Sequence, residues 1–173
     1  MKIVRSTPVS GVLRLLVCAT LVVASQSSAL AQQTLTAEFF QGVWKITKVV
    51  TDGVANNSPE PGVAIFSGSY FSFTRVTSSE ARPPAPPARD PAQLTDAEKI
   101  ARYEEWAPFG AGAGTYELRG NTLLTHNIVA KAARNMTLTE RVIIEQIDED
   151  TFVATVPAGE PNAGRQTTYA RVR

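Results

Sequence analysis

The sequence predicts an all-β protein, a roughly eight-stranded antiparallel up-and-down barrel with one helix inserted between early strands. Three observations predict it. Alternating apolar and polar runs recur from Val43 to the C-terminus, separated by turn signals such as Asp52-Gly53, Ser67-Gly68-Ser69 and Arg119-Gly120-Asn121. A single capping-box pattern, Thr95-Asp96-Ala97-Glu98, marks one long helix. Gly42-Val43-Trp44 opens the first alternating run, where a glycine lets the entering chain pass close to the wall and an inward tryptophan plugs the narrow end.

Residues 1–31 read as a secretory signal peptide. Lys2, Arg5 and Arg14 supply positive charge, Leu15 to Ala24 form an apolar run, and Ala29-Leu30-Ala31 fits the small-x-small cleavage rule. The run is about 10 residues, half of the roughly 20 a membrane span requires. Lipid anchoring at Cys18 is disfavoured because Val17 occupies the place of a small residue. The mature domain is then 32–173, exported to the periplasm or outside the cell, with no integral membrane span. Cleavage removes three of the 17 basic residues and none of the 16 acidic ones, so the formal charge falls from +1 to −2. That argues against a nucleic-acid binder, which carries a clustered basic excess. Cleavage also removes the one cysteine. No disulfide, thiolate metal site or cysteine nucleophile is then expected, and about 140 residues must be held by their core alone.

A short lead-in, Gln32 to Gln41, carries Leu35, Phe39 and Phe40, which could pack a helical turn. Val43 to Thr51 is the first strand, Val63 to Phe66 the second and Tyr70 to Val76 the third. Residues 78–93 form a polar crossing that contains Pro83-Pro84-Ala85-Pro86-Pro87, which favours polyproline II and cannot enter a central strand. The helix spans 95–107 and stops before Pro108, with Ile100, Tyr103 and Ala107 on one stripe and Trp106 beside it, and is expected to cover a flank or end of the barrel. Five strands follow: Gly112 to Leu118, Thr122 to Ala130, Thr137 to Ile147, Thr151 to Pro157 and Gln166 to Val172. Their short connections give an up-and-down meander.

These residues carry a resemblance. Phe40-Gln41-Gly42-Val43-Trp44-Lys45-Ile46, Gly68-Ser69-Tyr70-Phe71-Ser72-Phe73, the helix opening Asp96-Ala97-Glu98-Lys99, Gly114-Thr115-Tyr116-Glu117, the His126 strand and Tyr169-Ala170-Arg171 together resemble the bacterial lipocalin-like domain family of the calycin group. The resemblance covers residues 38–173. It implies a lipocalin-like barrel in which Gly42 and Trp44 pack beside an arginine near the chain end, Arg171 rather than Arg173. That trio is structural, since a guanidinium over an indole gains cation–π attraction and can donate to lead-in carbonyls. The chain departs from secreted animal lipocalins in lacking disulfides and in its Pro-rich crossing and helix. Members of the bacterial family mostly have no assigned activity.

Candidate site residues follow from strand parity. His126, the single histidine, shares a face with Leu124 and Ile128 and is expected to point inward. One histidine without a cysteine argues against zinc, and neither a metal site nor a cofactor is expected. Arg75 shares a face with Phe71 and Phe73 and, if inward, needs a partner. Glu140 is the candidate, on the parity of Met136, Leu138, Val142 and Ile144; the competing parity of the strand would turn Arg141 and Ile143 inward instead. Trp106, Tyr103 and Tyr116 would wall a pocket or serve as aromatic core. Serine-nucleophile motifs, glycine-rich phosphate loops and carboxylate metal cages are absent.

The leading reading is an exported barrel holding a small apolar or mixed ligand among Phe71, Phe73, Leu124, Ile128, Trp106 and Tyr116, with Arg75 or His126 as polar contacts. It leans away from an enzyme. The alternative is a calycin-type isomerase, cyclase or hydratase using His126, Glu140 and Tyr116, which requires at least two of them within hydrogen-bond reach. A third reading is a structural or interaction module that meets a partner through the Pro-rich segment or a barrel edge.

Overall fold

Gly42 turns the chain into the barrel with φ 115°, a conformation glycine adopts at little cost. Its hydrogen also leaves room for Arg171, whose Nη1 would lie 3.2 Å from a side-chain carbon there. The structure, a computed structural model, describes residues 35–173 apart from Pro83, Pro86, Ala88 and Arg89. Every element below lies within Gln33–Arg173. The signal peptide expected at 1–31 lies outside the described residues.

A one-turn helix α1 (Ala37–Phe40) leads into β1 (Gly42–Thr51), followed by β2 (Val54–Asn56), β3 (Gly62–Ser67) and β4 (Tyr70–Val76). A 3₁₀ turn (Pro91–Gln93) and helix α2 (Asp96–Trp106) precede β5 (Phe109–Arg119) and β6 (Thr122–Ala130). A second 3₁₀ turn (Ala133–Thr137) then leads to β7 (Thr139–Asp148), β8 (Thr151–Thr155) and β9 (Gln166–Arg171). All pairings are antiparallel between neighbours, and β1 also pairs with β9 from Trp44↔Arg171 to Val50↔Gln166, which closes the sheet. Eight strands make the barrel; the short β2 pairs only with the last residues of β1. The expected lipocalin-like architecture, with its helix between β4 and β5, is the fold observed.

Two details differ from the sequence expectation. β5 begins at Phe109 rather than Gly112, and β7 begins at Thr139 because residues 133–137 coil as 3₁₀. Met136 and Leu138 therefore stand exposed instead of extending the inner face of β7.

One end of the barrel is sealed. Trp44 and Phe40 are fully buried, and Trp44 Nε1 donates to the Phe40 carbonyl at 2.7 Å. Phe152 sits at the centre of this plug, 4.8 Å from the Trp44 ring edge-on and 4.8 Å from Tyr169 in a stack. The Arg171 guanidinium lies 4.2 Å from the Trp44 ring centroid and donates to the Gln41 and Phe39 carbonyls at 2.6 and 2.7 Å. Its Nε pairs with Asp150 at 3.2 Å. Tyr116 completes the plug, accepting from Gln41 Nε2 at 2.9 Å while Gln41 Oε1 takes the Gly68 amide hydrogen. The β3–β4, β5–β6 and β7–β8 turns lie at this end.

Helix α2 belongs to the opposite end. Thr95 caps it: its hydroxyl accepts from the Glu98 amide, and Glu98 returns a bond to the Thr95 amide at 2.8 Å. The helix does not bury the stripe expected of it. Ile100, Tyr103 and Trp106 are more than half exposed, and α2 has no buried residue. It is held near its C-terminus, where Trp106 meets Phe109 edge-on at 5.4 Å and Lys131 Nζ donates to the Trp106 and Ala107 carbonyls.

Candidate ligand-binding site

Above the plug the barrel is hollow. A cavity of about 370 Å³ opens toward the end that carries α2. Its wall is mainly apolar: Phe66, Phe71, Phe73, Leu123, Val142 and Phe152 among others, with Thr125, Thr167 and Tyr169 as neutral polar groups. Five ionisable side chains other than tyrosine line it, four of them cationic: Arg75, Lys131, Arg134 and Arg165 against Glu140.

Successive inner glycines of β5 let neighbouring groups pack close against the strand, and Gly110 lines the cavity itself. Gly110, Gly112 and Gly114 pair with Arg75, Phe73 and Phe71 of β4. A side-chain carbon on Gly112 would sit 2.8 Å from the Phe73 ring and run into Asn127 Oδ1. On the other flank of Arg75, Gly62 of β3 is its register partner, and a carbon there would strike Ile46 and come within 3.1 Å of the Arg75 Cβ. Arg75 thus lies between two glycines and lines the cavity. Gly114 has a second duty: a carbon on it would collide with the His126 carbonyl, which approaches at the bulge between β5 and β6.

Arg165 meets Arg75 from the far side of the mouth, just before β9. Both line the inner cavity and also the outer vestibule formed with the β1–β2 hairpin and residues 58–60 and 76–79. The Nε of each is buried without a hydrogen-bond partner. Among the described residues, no carboxylate lies within 4 Å of either guanidinium. Burial lowers the Arg165 pKa and the neighbouring charge of Arg75 lowers it further, while Tyr169 and Glu140 oppose the shift. Burial raises the Tyr169 pKa against the pull of Arg75 and Arg165, so its phenol stays protonated and available as a donor. Asn127 Oδ1 is a further buried atom without a partner.

The expected site residues divide. Phe71, Phe73 and Arg75 line the cavity, and Glu140 lies on the inner parity of β7 with Val142 and buried Ile144. Glu140 is not the ion-pair partner of Arg75. The inward reading of His126, Leu124 and Ile128 is corrected. Leu123, Thr125 and Asn127 are the inner residues of β6; His126 is exposed and bonds Thr139 across the outer face at 3.0 Å, and Ile128 is 62% exposed at the bulge. The reason is register. The turn at Gly120-Asn121, with Gly120 at φ 61°, pairs Leu118 with Leu123 and Tyr116 with Thr125, so the inward Tyr116 forces Thr125 inward and His126 out. Trp106 stands outside the cavity, which its neighbours Ala107 and Phe109 line instead. Tyr116 belongs to the sealed end, where burial raises its pKa. His126, Glu140 and Tyr116 therefore do not converge. Sequence reasoning missed Arg165 and Tyr169; the signal for them was the parity they share with Thr167.

Among the described residues, no group of three or more His, Cys, Asp or Glu side chains is placed to hold a metal ion. No helix among them is long and apolar enough to cross a membrane.

No protein-family model matches the sequence, and no curated protein matches it. Solved structures similar to it include a lipocalin-like protein from Bacteroides uniformis, at 11% identity and TM-score 0.44, covering 78% of this chain and 99% of that one. A redesigned β-barrel is similar at 9% identity and TM-score 0.43, covering 83% and 100%. An uncharacterised protein from Bacteroides eggerthii is similar at 9% identity and TM-score 0.44, covering 77% and 99%. At such identities and scores the likeness carries no information on ligand or activity.

Proposed function

We propose that this protein is an exported lipocalin-like barrel that binds a small, largely apolar ligand in its interior. The observation that carries the reading is the open cavity of about 370 Å³ between the aromatic plug and the arginine pair. It falls in the size range of small-molecule sites, roughly 300–1,000 Å³, and combines an apolar wall with a few convergent polar groups as such sites do. Export rests on the leader composition of residues 1–31.

The test is titration with a neutral apolar fluorophore, 1-aminoanthracene. One equivalent should bind with enhanced emission, and Thr125→Trp, which fills the cavity from β6, should abolish it. Failure to bind, or binding that survives in the filled variant, would overturn the reading. For export, mass spectrometry of the protein recovered outside the cytoplasm should find a chain beginning at Gln32.

A further inference from the structure

We infer that the interior ligand carries a carboxylate, clamped at the mouth of the cavity between the guanidinium groups of Arg75 and Arg165. The inference rests on the ligand-binding reading and adds the chemical class of the ligand. Three observations carry it.

The first is that both arginines are incomplete. A guanidinium has five N–H donors and no acceptor, and leaving a buried donor without a partner is costly. Arg75 and Arg165 each hold a buried, partnerless Nε, and no protein carboxylate within 4 Å answers either charge. Arg171, in the same barrel, has two carbonyl acceptors and Asp150. The shortfall is thus local to the mouth.

The second is placement. The two guanidinium groups line both the inner cavity and the vestibule above it, so an acceptor held between them sits at the boundary of apolar wall and solvent. An apolar tail would run down past Phe73 and Thr125 to the ring of Phe152. At about 30 Å³ for each water-sized group, the cavity holds roughly a dozen non-hydrogen atoms, which fits a medium-chain acid.

The third is charge. Arg75, Lys131, Arg134 and Arg165 line this space against the one carboxylate of Glu140, so the cavity carries a positive excess. A positive excess matches an anionic headgroup, and the planar fork of arginine suits a carboxylate. The phenol of Tyr169 offers a neutral donor beside it.

Isothermal titration calorimetry of the full barrel with decanoate, decan-1-ol and decyltrimethylammonium tests this. Decanoate should bind at least about tenfold tighter than decan-1-ol, and decyltrimethylammonium should not bind, since charge-assisted fork contacts distinguish the headgroups. Arg75→Met and Arg165→Met should each cost decanoate about tenfold or more while leaving decan-1-ol nearly unchanged. Glu140→Gln, which removes a charge at the exposed rim, should tighten decanoate and serves if an arginine variant does not fold. Equal affinity for acid and alcohol, or loss of both together in the arginine variants, overturns the carboxylate clamp and leaves the barrel reading intact. No binding of any of the three, with none of 1-aminoanthracene, overturns both.

Discussion

Replacing Arg171 with methionine tests the account of the sealed end. The substitution keeps an unbranched stem over Trp44 and removes the guanidinium. Lost are the bonds to the Gln41 and Phe39 carbonyls at 2.6 and 2.7 Å, the contact over the Trp44 ring at 4.2 Å and the pair with Asp150 at 3.2 Å. Charge-assisted hydrogen bonds contribute about 1.5–3 kcal/mol each, and the cation–π contact about 0.5–2 kcal/mol. The Asp150 pair is about a quarter exposed on both sides, so solvent screening holds it to about 0–1 kcal/mol. These terms share one side chain and do not add in full, so the expected loss is about 3–5 kcal/mol, out of about 5–15 kcal/mol for a typical domain. The assay is urea unfolding followed by tryptophan fluorescence, with Arg171→Lys alongside. Lysine retains charge without the fork and should recover less than half of the loss. A loss below about 1 kcal/mol for the methionine variant, or full recovery by lysine, would refute the reasoning.

Other perturbations separate wall, plug, helix and outer face. Gly112→Ala should destabilise by about 1–3 kcal/mol in thermal unfolding, because the new carbon meets Phe73 and Asn127. Phe152→Ala should cost about 3–5 kcal/mol in urea, since a ring 2% exposed and packed on Trp44, Phe40 and Tyr169 leaves a cavity in the plug. The Thr95 cap lowers the Glu98 pKa below its ordinary 4.5. A carboxylate with a depressed folded-state value stabilises above the unfolded pKa and loses that contribution as pH falls through the folded one. Amide protection in the first turn of α2, corrected for the intrinsic exchange rate at each pH, should therefore fall on acidification into that window, and Glu98→Gln should flatten the dependence. His126→Ala should leave 1-aminoanthracene binding unchanged, as the imidazole lies on the outer face; a marked loss would place it back in the site.

The barrel was legible because period-two patterning and turn chemistry are local signals. Phe71, Phe73 and Arg75 read as one face and form one face of the cavity wall. β6 misled for a physical reason. Its more apolar parity, half-buried Leu124 and exposed Ile128, faces outward, and its inner parity carries Thr125 and Asn127 toward a polar mouth. Hydropathy alone selects the wrong face there, whereas the Gly120-Asn121 turn, which pairs Tyr116 with Thr125, selects the right one. Arg165 was missed because it stands one residue before the strand predicted from Gln166, although it continues the inward parity of Thr167 and Tyr169, and only closure of the sheet brings it opposite Arg75. The glycines of β5 were in plain view. Their spacing reads as weak strand sequence until the neighbouring strand is seen to lay an arginine and two phenylalanines against them.

Two ends of one barrel treat arginine in opposite ways, and the contrast separates structure from function. At the sealed end Arg171 is provided with carbonyls, a carboxylate and an indole face, so its charge is answered within the fold. At the open end Arg75 and Arg165 are brought together against their mutual repulsion, each with a buried nitrogen unanswered. Such an arrangement costs folding energy. Gly62 and Gly110 flank Arg75 where bulkier residues would crowd it, so the room for its side chain is built into the strands on either side. A binding site is where a fold leaves its own interactions unfinished, because the missing partner is the ligand. On that argument an anionic group entering the mouth should stabilise the barrel in line with its binding, raising the unfolding temperature with decanoate concentration, and the increment should shrink in Arg75→Met while remaining in Arg171→Met.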